Sequence, residues 1–158
     1  MGVSERKFGT LPTGEEIKIY HLENKSGAYA EVLSFGAILA KICVPDKNGE
    51  LRDVVLGYDD IEGYEVNGCF FGAIIGRSGN RIENARFFID DKEVVLAENE
   101  NHNNLHSGPN GFEKKLWEVK EISQEKNSVD FFRISPDGEN GFPGEFTVVV
   151  KYEFTEEN

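Results

Sequence analysis

The sequence has little positive charge and no long apolar run, and each shortage excludes a class of function. Its 158 residues include 29 Asp and Glu but only 17 Lys and Arg, which gives a formal net charge of −12. Such a surface repels the phosphates of nucleic acid and the anionic face of a membrane, so we expect neither as a partner. No apolar stretch approaches the length of a membrane span, and the first residues lack the apolar core of a signal peptide. We therefore expect a cytoplasmic protein.

Cysteine is also scarce, with only Cys43 and Cys69 in the chain. Both have apolar neighbours, which predicts two buried thiols in a reducing compartment. No Cys-x-x-Cys pair indicates a metal or redox motif. Proline is scarce too, at five residues, whereas 17 glycines indicate many tight turns rather than a disordered chain.

Short runs rich in Val, Ile, Phe and Tyr recur along the chain, with turn-forming residues between them. The runs cover residues 16–22, 29–35, 37–44, 53–56, 70–75, 86–89, 93–96, 116–122, 129–134 and 146–154. Residues of these types suit pleated strands, and the short segment Asp90-Asp91-Lys92 predicts a hairpin. No window has a sustained helical period, and residues 59–64 allow one helical turn at most. We predict a single all-β domain over residues 1–158, a sandwich or a barrel.

Two polar stretches interrupt the strands, at residues 76–82 and 99–112. Long polar loops in compact domains are often functional. On a helix, His102 and His106 would share one face and could bind zinc, but Asn, Gly and Pro crowd the segment and argue against a helix. We therefore expect no metal site.

The first stretch places Arg77 and Arg81 on either side of a Ser-Gly-Asn turn. Neither of the common glycine-rich phosphate motifs is present, so nucleotide binding is poorly supported. Taken alone, the two arginines are better explained by ion pairs with the abundant acidic residues. The alternative is a sugar site, because amide, guanidinium and imidazole groups in polar loops can bind hydroxyl groups.

Four motifs, in order along nearly the whole chain, resemble those of the aldose 1-epimerase family. Residues 71–82 resemble its Gly-Arg-x-x-Asn-Arg-Ile motif, and residues 104–112 resemble Asn-x-Leu-His-Gly-Gly-x-x-Gly-Phe. Residues 135–144 resemble Ser-x-Asp-Gly-x-x-Gly-Tyr/Phe-Pro-Gly, and Leu-Gly-Tyr with Gly-Tyr within residues 56–64 fit as well. One departure is Ser107, which stands where the family usually has glycine.

The resemblance implies an antiparallel β-sandwich of the galactose mutarotase type. It implies that Asn80, Arg81 and His106 contact the hydroxyl groups or the ring oxygen of an aldose sugar. His106 is the candidate catalytic residue, orienting the sugar and polarising its ring oxygen. The family's reaction requires no cofactor and no metal.

Family members are much longer than this chain, and their second catalytic histidine and C-terminal glutamate have no counterpart among these residues. The resemblance implies that this histidine is the acid and this glutamate the base. We therefore expect the N-terminal half of a mutarotase for hexoses such as galactose and glucose, inactive or weak by itself. The alternative is a non-catalytic carbohydrate-binding module with the same half fold. Because half a sandwich exposes an apolar face and open strand edges, we expect a homo-oligomer or a companion C-terminal fragment.

Overall fold

The computed structural model describes residues 2–157, and strands dominate them. The strands are β1 (Gly2–Thr10), β2 (Glu16–Glu23), β3 (Tyr29–Leu33), β4 (Leu39–Pro45), β5 (Leu51–Asp53), β6 (Arg81–Ile82), β7 (Arg86–Ile89), β8 (Lys92–Val95), β9 (Asn104–Leu105), β10 (Glu118–Ser123), β11 (Ser128–Ser135) and β12 (Phe146–Glu153). One α-helix, α1 (Ile61–Val66), and three short 3₁₀ turns (Glu83–Ala85, Phe112–Lys114 and Glu139–Gly141) complete the fold. At six residues, α1 is the longest helix in the described chain and is far shorter than a membrane span.

Two antiparallel sheets pack face to face and enclose the main core. The larger sheet has the order β1-β2-β3-β4-β5, and the second has the order β10-β11-β12. Alternation along β2 and β3 turns Tyr20, Leu22 and Val32 toward the second sheet, where they join Phe131 and Trp117 in one buried cluster. The prediction of an all-β antiparallel sandwich is thus confirmed.

The opposite face of the larger sheet is covered in part by α1. Ile19 and Leu33 form a second buried cluster there with Ile61 and Tyr64 of the helix. The ammonium group of Lys114 donates hydrogen bonds to the carbonyls of the last turn, among them Tyr64 O at 3.2 Å. This cap ties the 3₁₀ turn that follows the polar 99–112 stretch to the helix.

The hairpin predicted at residues 90–92 is confirmed, since β7 pairs with β8 there, with Lys92 already the first residue of β8. Val94 and Leu96 pack with Phe142 in a third small cluster, which joins the hairpin to the loop that follows β11. A separate pair, β6 with β9, joins the two polar stretches.

The predicted strand at residues 70–75 is wrong. Phe70 and Gly72 have left-handed backbone, with φ of 56° and 62°, and strands exclude that conformation. The side chain of Asn67 instead bonds both backbone groups of Phe71, accepting from its N–H at 2.9 Å and donating to its carbonyl at 3.2 Å. A side chain therefore satisfies the groups that a neighbouring strand would have bonded.

Strand β1 was not predicted from the sequence, and one thiol that was expected to be buried is exposed. Strand β1 lies at a sheet edge and carries charged residues in place of an apolar alternation, with Glu5 paired to Lys18 at 2.6 Å. Such polar edges are common because they discourage pairing with other chains. Cys43 is buried as expected, but Cys69 is exposed and lies in a turn just before the segment predicted as a strand.

Candidate functional site

The two polar stretches meet at the β6–β9 pair. Arg81 lies opposite Leu105 in that pair. Beyond it, the backbone N–H of His106 donates to the carbonyl of Asn80 at 3.0 Å. The structure therefore places Asn80, Arg81 and His106 side by side, although they come from stretches more than 20 residues apart.

One hydrogen bond defines which imidazole nitrogen of His106 donates. The backbone N–H of Asn80 donates to His106 Nδ1 at 2.9 Å, so Nδ1 acts as an acceptor. In a neutral imidazole the proton then resides on Nε2, which becomes the donor. The ring of Phe70 packs edge-on against the imidazole, with centroids 4.8 Å apart, and restrains its orientation.

Arg81 is held by a carboxylate on the neighbouring loop. Its guanidinium forms a fork with Glu100, with Nε–Oε2 at 3.1 Å and Nη2–Oε1 at 2.8 Å, and its Nη1 donates to Asn80 Oδ1 at 3.2 Å. About half of the Arg81 side chain, 52%, remains exposed. The hydrogen bonds from Arg81 lower the pKa of Glu100, so this carboxylate stays ionised and is a weak base. The ion pair expected for Arg81 from the acidic composition is thus present.

Arg77 points instead toward the end of β11. Its guanidinium donates to Ser135 Oγ at 2.8 Å and to the carbonyls of Ser135, Pro136 and Pro143 at 2.7 to 3.0 Å. These bonds occupy Nε and both terminal nitrogens, and they fasten the 76–82 stretch to the second sheet. Arg77 is therefore a support of the site and has few donors left for a ligand.

A partly buried ion pair behind Arg77 was not predicted from the sequence. Arg133 and Glu139 form a fork, with Nη1–Oε2 at 3.1 Å and Nη2–Oε1 at 2.8 Å, and the Ser135 hydroxyl donates to the same carboxylate. The Arg133 guanidinium also lies 4.7 Å from the centroid of the Phe112 ring. The strand pattern could have predicted its inward position, because alternation along β11 puts Arg133 on the same inward face as Phe131.

Opposing effects determine the pKa of Glu139. Burial alone would raise it, but the hydrogen bonds from Arg133 and Ser135 and the positive charge of Arg133 outweigh burial and lower the pKa. Glu139 is therefore ionised at neutral pH and belongs to the support of the site.

The three predicted site residues lie on an open surface. Cavities of about 600 and 500 Å³ lie elsewhere, one beside the β7–β8 hairpin and one beside Leu11 and Lys114, and neither is lined by Asn80, Arg81 or His106. His102 does not join these three residues. Its side chain is 85% exposed, and its Nδ1 lies 3.0 Å from Glu98 Oε2. Within residues 2–157, no three His, Cys, Asp or Glu side chains cluster closely enough to hold a metal ion.

Comparisons with known proteins agree with the motifs. A family model described as aldose 1-epimerase matches residues 18–158. The chain is similar to the galactose mutarotase of Homo sapiens, with 42% identity over 151 residues, which are 95% of this chain and 43% of that protein. The galactose mutarotase of Bos taurus is 40% identical over 153 residues, 96% of this chain and 44% of that protein. The aldose 1-epimerase of Escherichia coli (strain K12) is 35% identical over 147 residues.

Solved structures agree as well. The fold superposes with a TM-score of 0.84 on a galactose 1-epimerase from Lactobacillus acidophilus NCFM, at 25% identity, covering 99% of this chain and 45% of that one. An aldose epimerase homologue from C. elegans gives a TM-score of 0.80 at 38% identity, covering 85% of this chain and 41% of that one.

The chain spans less than half the length of the curated relatives it matches, 44% in the case of the Bos taurus protein. Within the chain, however, the family match extends from the second strand to the last residue, and both sheets of the sandwich are part of it. The chain belongs to the aldose 1-epimerase family.

Proposed function

We propose that the protein is an aldose 1-epimerase, an isomerase that interconverts the α and β anomers of hexoses such as galactose and glucose. We propose further that this chain carries sugar-binding residues of that enzyme. The observation that carries the proposal is the convergence of Asn80, Arg81 and His106, from two distant stretches, on one accessible surface.

Each of the three side chains has a role that suits a pyranose. The Nε2–H of His106 is a fixed donor that can bond the ring oxygen, because Asn80 N–H keeps Nδ1 as the acceptor. The half-exposed guanidinium of Arg81 and the carboxamide of Asn80 can bind sugar hydroxyls. Phe70 supports this arrangement by restraining the imidazole.

The chemistry requires an acid and a base on opposite sides of one carbon. A base removes the proton of the anomeric hydroxyl, the C1–O5 bond breaks as the C1 carbonyl forms, and the ring oxygen takes a proton from an acid. Rotation about the C1–C2 bond and the reverse steps then close the ring as the other anomer. In this scheme His106 polarises the ring oxygen, and both proton transfers need groups within hydrogen-bond reach.

We propose that the isolated chain binds sugar but catalyses weakly. The carboxylate at the described site, Glu100, is engaged by Arg81 and has a lowered pKa, so it is a poor base. General acid and base groups typically contribute about 10²- to 10⁴-fold each. A chain without a suitable base in place therefore loses most of the rate.

Polarimetry of freshly dissolved α-D-galactose, together with NMR titration of galactose into the labelled chain, tests the proposal. We expect galactose to shift the resonances of Asn80 and His106 and the chain to accelerate mutarotation only slightly. His106→Asn should abolish both effects. His102→Asn is the matched control, since it alters an exposed histidine of the same loop, and it should leave both unchanged. Binding that persists in His106→Asn contradicts the proposed site.

The alternative, a non-catalytic carbohydrate-binding module, predicts a different result in a chimera. When this chain is joined to the part of the Homo sapiens relative that it does not cover, an epimerase should gain a rate far above that of the isolated chain. A binding module should retain galactose binding with no gain in rate.

The outer face of the second sheet, β10-β11-β12, carries exposed apolar side chains that a partner could cover. Ile134 and Val149 lie on its outer face and are 47% and 43% exposed, whereas Val148 and Val150 point into the core. Exposed apolar side chains on a sheet face favour association. We propose that a second copy of the chain or a companion fragment covers this face. Light scattering that shows a monodisperse monomer, together with no capture of a companion fragment, contradicts it.

A further inference from the structure

Side chains extend the hydrogen-bonded ladder between the two polar stretches. The backbone part ends where His106 N–H donates to Asn80 O at 3.0 Å. His106 and Ser107 then adopt left-handed backbone, with φ of 54° and 69°, and regular strand pairing stops. The next hydrogen bond between the two stretches involves a side chain, because His106 Nδ1 accepts from Asn80 N–H.

Ser107 makes the next two bonds between the two stretches. Its Oγ accepts a hydrogen bond from Ser78 N–H at 2.7 Å and donates one to Ser78 O at 3.0 Å. One hydroxyl therefore bonds both backbone groups of a residue in the facing loop. Since Ser107 is only 1% exposed, bulk water has little access to replace that hydroxyl.

The backbone conformation of Ser107 also points to its hydroxyl as the group that matters. Left-handed backbone is unfavourable for most residues other than glycine and requires surrounding structure to hold it. Glycine would fit this φ with less strain but would leave Ser78 N–H and Ser78 O without their partner. The hydroxyl, rather than the backbone, is what serine contributes at this position.

We infer that Ser107 is a positioning residue, whose hydroxyl holds residues 78–80 against His106 so that Asn80 N–H stays on Nδ1 and Nε2–H stays the donor. Ser107 acts through Asn80 and does not itself touch the sugar. The inference rests on the proposed role of His106 in sugar binding.

Amide hydrogen exchange tests the coupling without any sugar. In the full chain, Ser107→Ala and Ser107→Gly should each speed exchange of the Ser78 amide and also of the Asn80 amide, which has no bond to Ser107. The net value of a hydrogen bond predicts about five- to tenfold faster exchange. Ser78→Ala is the control, because its hydroxyl makes only a 3.5 Å contact with Gly79 O, and it should leave Asn80 unchanged.

Galactose affinity then distinguishes positioning from a merely structural role. Ser107→Gly relieves the backbone strain and should have a higher urea midpoint than Ser107→Ala. Positioning predicts that both variants weaken galactose binding by a similar factor of about ten despite their different stabilities. Affinity that follows the urea midpoint, or unchanged Asn80 exchange in both variants, overturns the inference. Failure of the wild type to bind galactose contradicts the proposed function, and the exchange rates still report whether Ser107 positions the loop.

Discussion

Arg77 and Arg81 stand at the two ends of one short loop and have the same side chain. Arg77 donates to one hydroxyl and three backbone carbonyls at the end of the second sheet. Arg81 lies half exposed, with Glu100 and the Asn80 side chain as partners. The difference lies in what faces each guanidinium, which is a set of backbone carbonyls for Arg77 and a partly exposed side-chain carboxylate for Arg81. An arginine with fixed backbone partners supports a loop, and one with a displaceable partner can bind a ligand.

The contrast continues behind each arginine. Arg77 is backed by the Arg133–Glu139 pair, whose side chains are 9% and 13% exposed. Arg81 has the exposed pair with Glu100. Exposed ion pairs contribute little to stability, whereas removing one member of a buried pair leaves an uncompensated charge. We therefore expect mutations on the Arg77 side to affect folding and those on the Arg81 side to affect ligand binding.

Arg133→Met should have the largest effect on stability. It leaves the partly buried carboxylate of Glu139 without its fork, with Lys115 Nζ at 3.6 Å as the remaining positive partner, and it removes the guanidinium from the Phe112 ring. We expect a loss of about 3 kcal/mol in the free energy of unfolding, measured in urea. The matched control is Arg86→Met, which breaks the exposed pair with Glu93 and should cost at most about 1 kcal/mol. Similar losses in both variants would contradict the contrast.

The same variant has a defined pH dependence. Because the fold lowers the pKa of Glu139, the stability that ionised Glu139 contributes is present above the usual carboxyl pKa and is lost as the pH falls through the lowered value. The difference between wild type and Arg133→Met should therefore be complete at pH 7 and should shrink below about pH 4. A difference that is independent of pH would mean that the charge of Glu139 is not involved.

Arg77→Met should have the next largest effect, a loss of about 2 kcal/mol in urea unfolding, because it removes four hydrogen bonds between a loop and the second sheet. Since the carbonyls of Pro136 and Pro143 are partly accessible, water recovers some of this loss. Galactose affinity, measured where the variant is fully folded, should fall less than in Arg81→Met. A stable Arg77→Met that no longer binds galactose would reverse the roles of the two arginines.

Sequence reasoning could predict the strands that alternate and the stretches that carry the site, but not the pairing of individual side chains. The runs that form β2, β11 and β12 have many β-branched and aromatic residues, so their patterns were sufficient to predict strands. Nothing local predicts that the Asn67 side chain replaces a strand partner for Phe71, or that Arg77 faces carbonyls 58 or more residues away. Such contacts depend on how the sheets pack, and a pattern within one segment contains no such information.

Arg81→Met should leave stability essentially unchanged and should strongly weaken sugar binding, because its ion pair with Glu100 is exposed while its guanidinium is a proposed hydroxyl ligand. We expect an unaltered urea midpoint and a galactose dissociation constant raised at least tenfold by NMR titration. Glu100→Gln is the matched control, since it breaks the same pair but leaves the guanidinium in place. If both variants lose binding equally, the pair itself orients the site. If neither variant loses binding, Arg81 is only a surface charge and does not bind the ligand. The two arginines then do not differ in ligand binding.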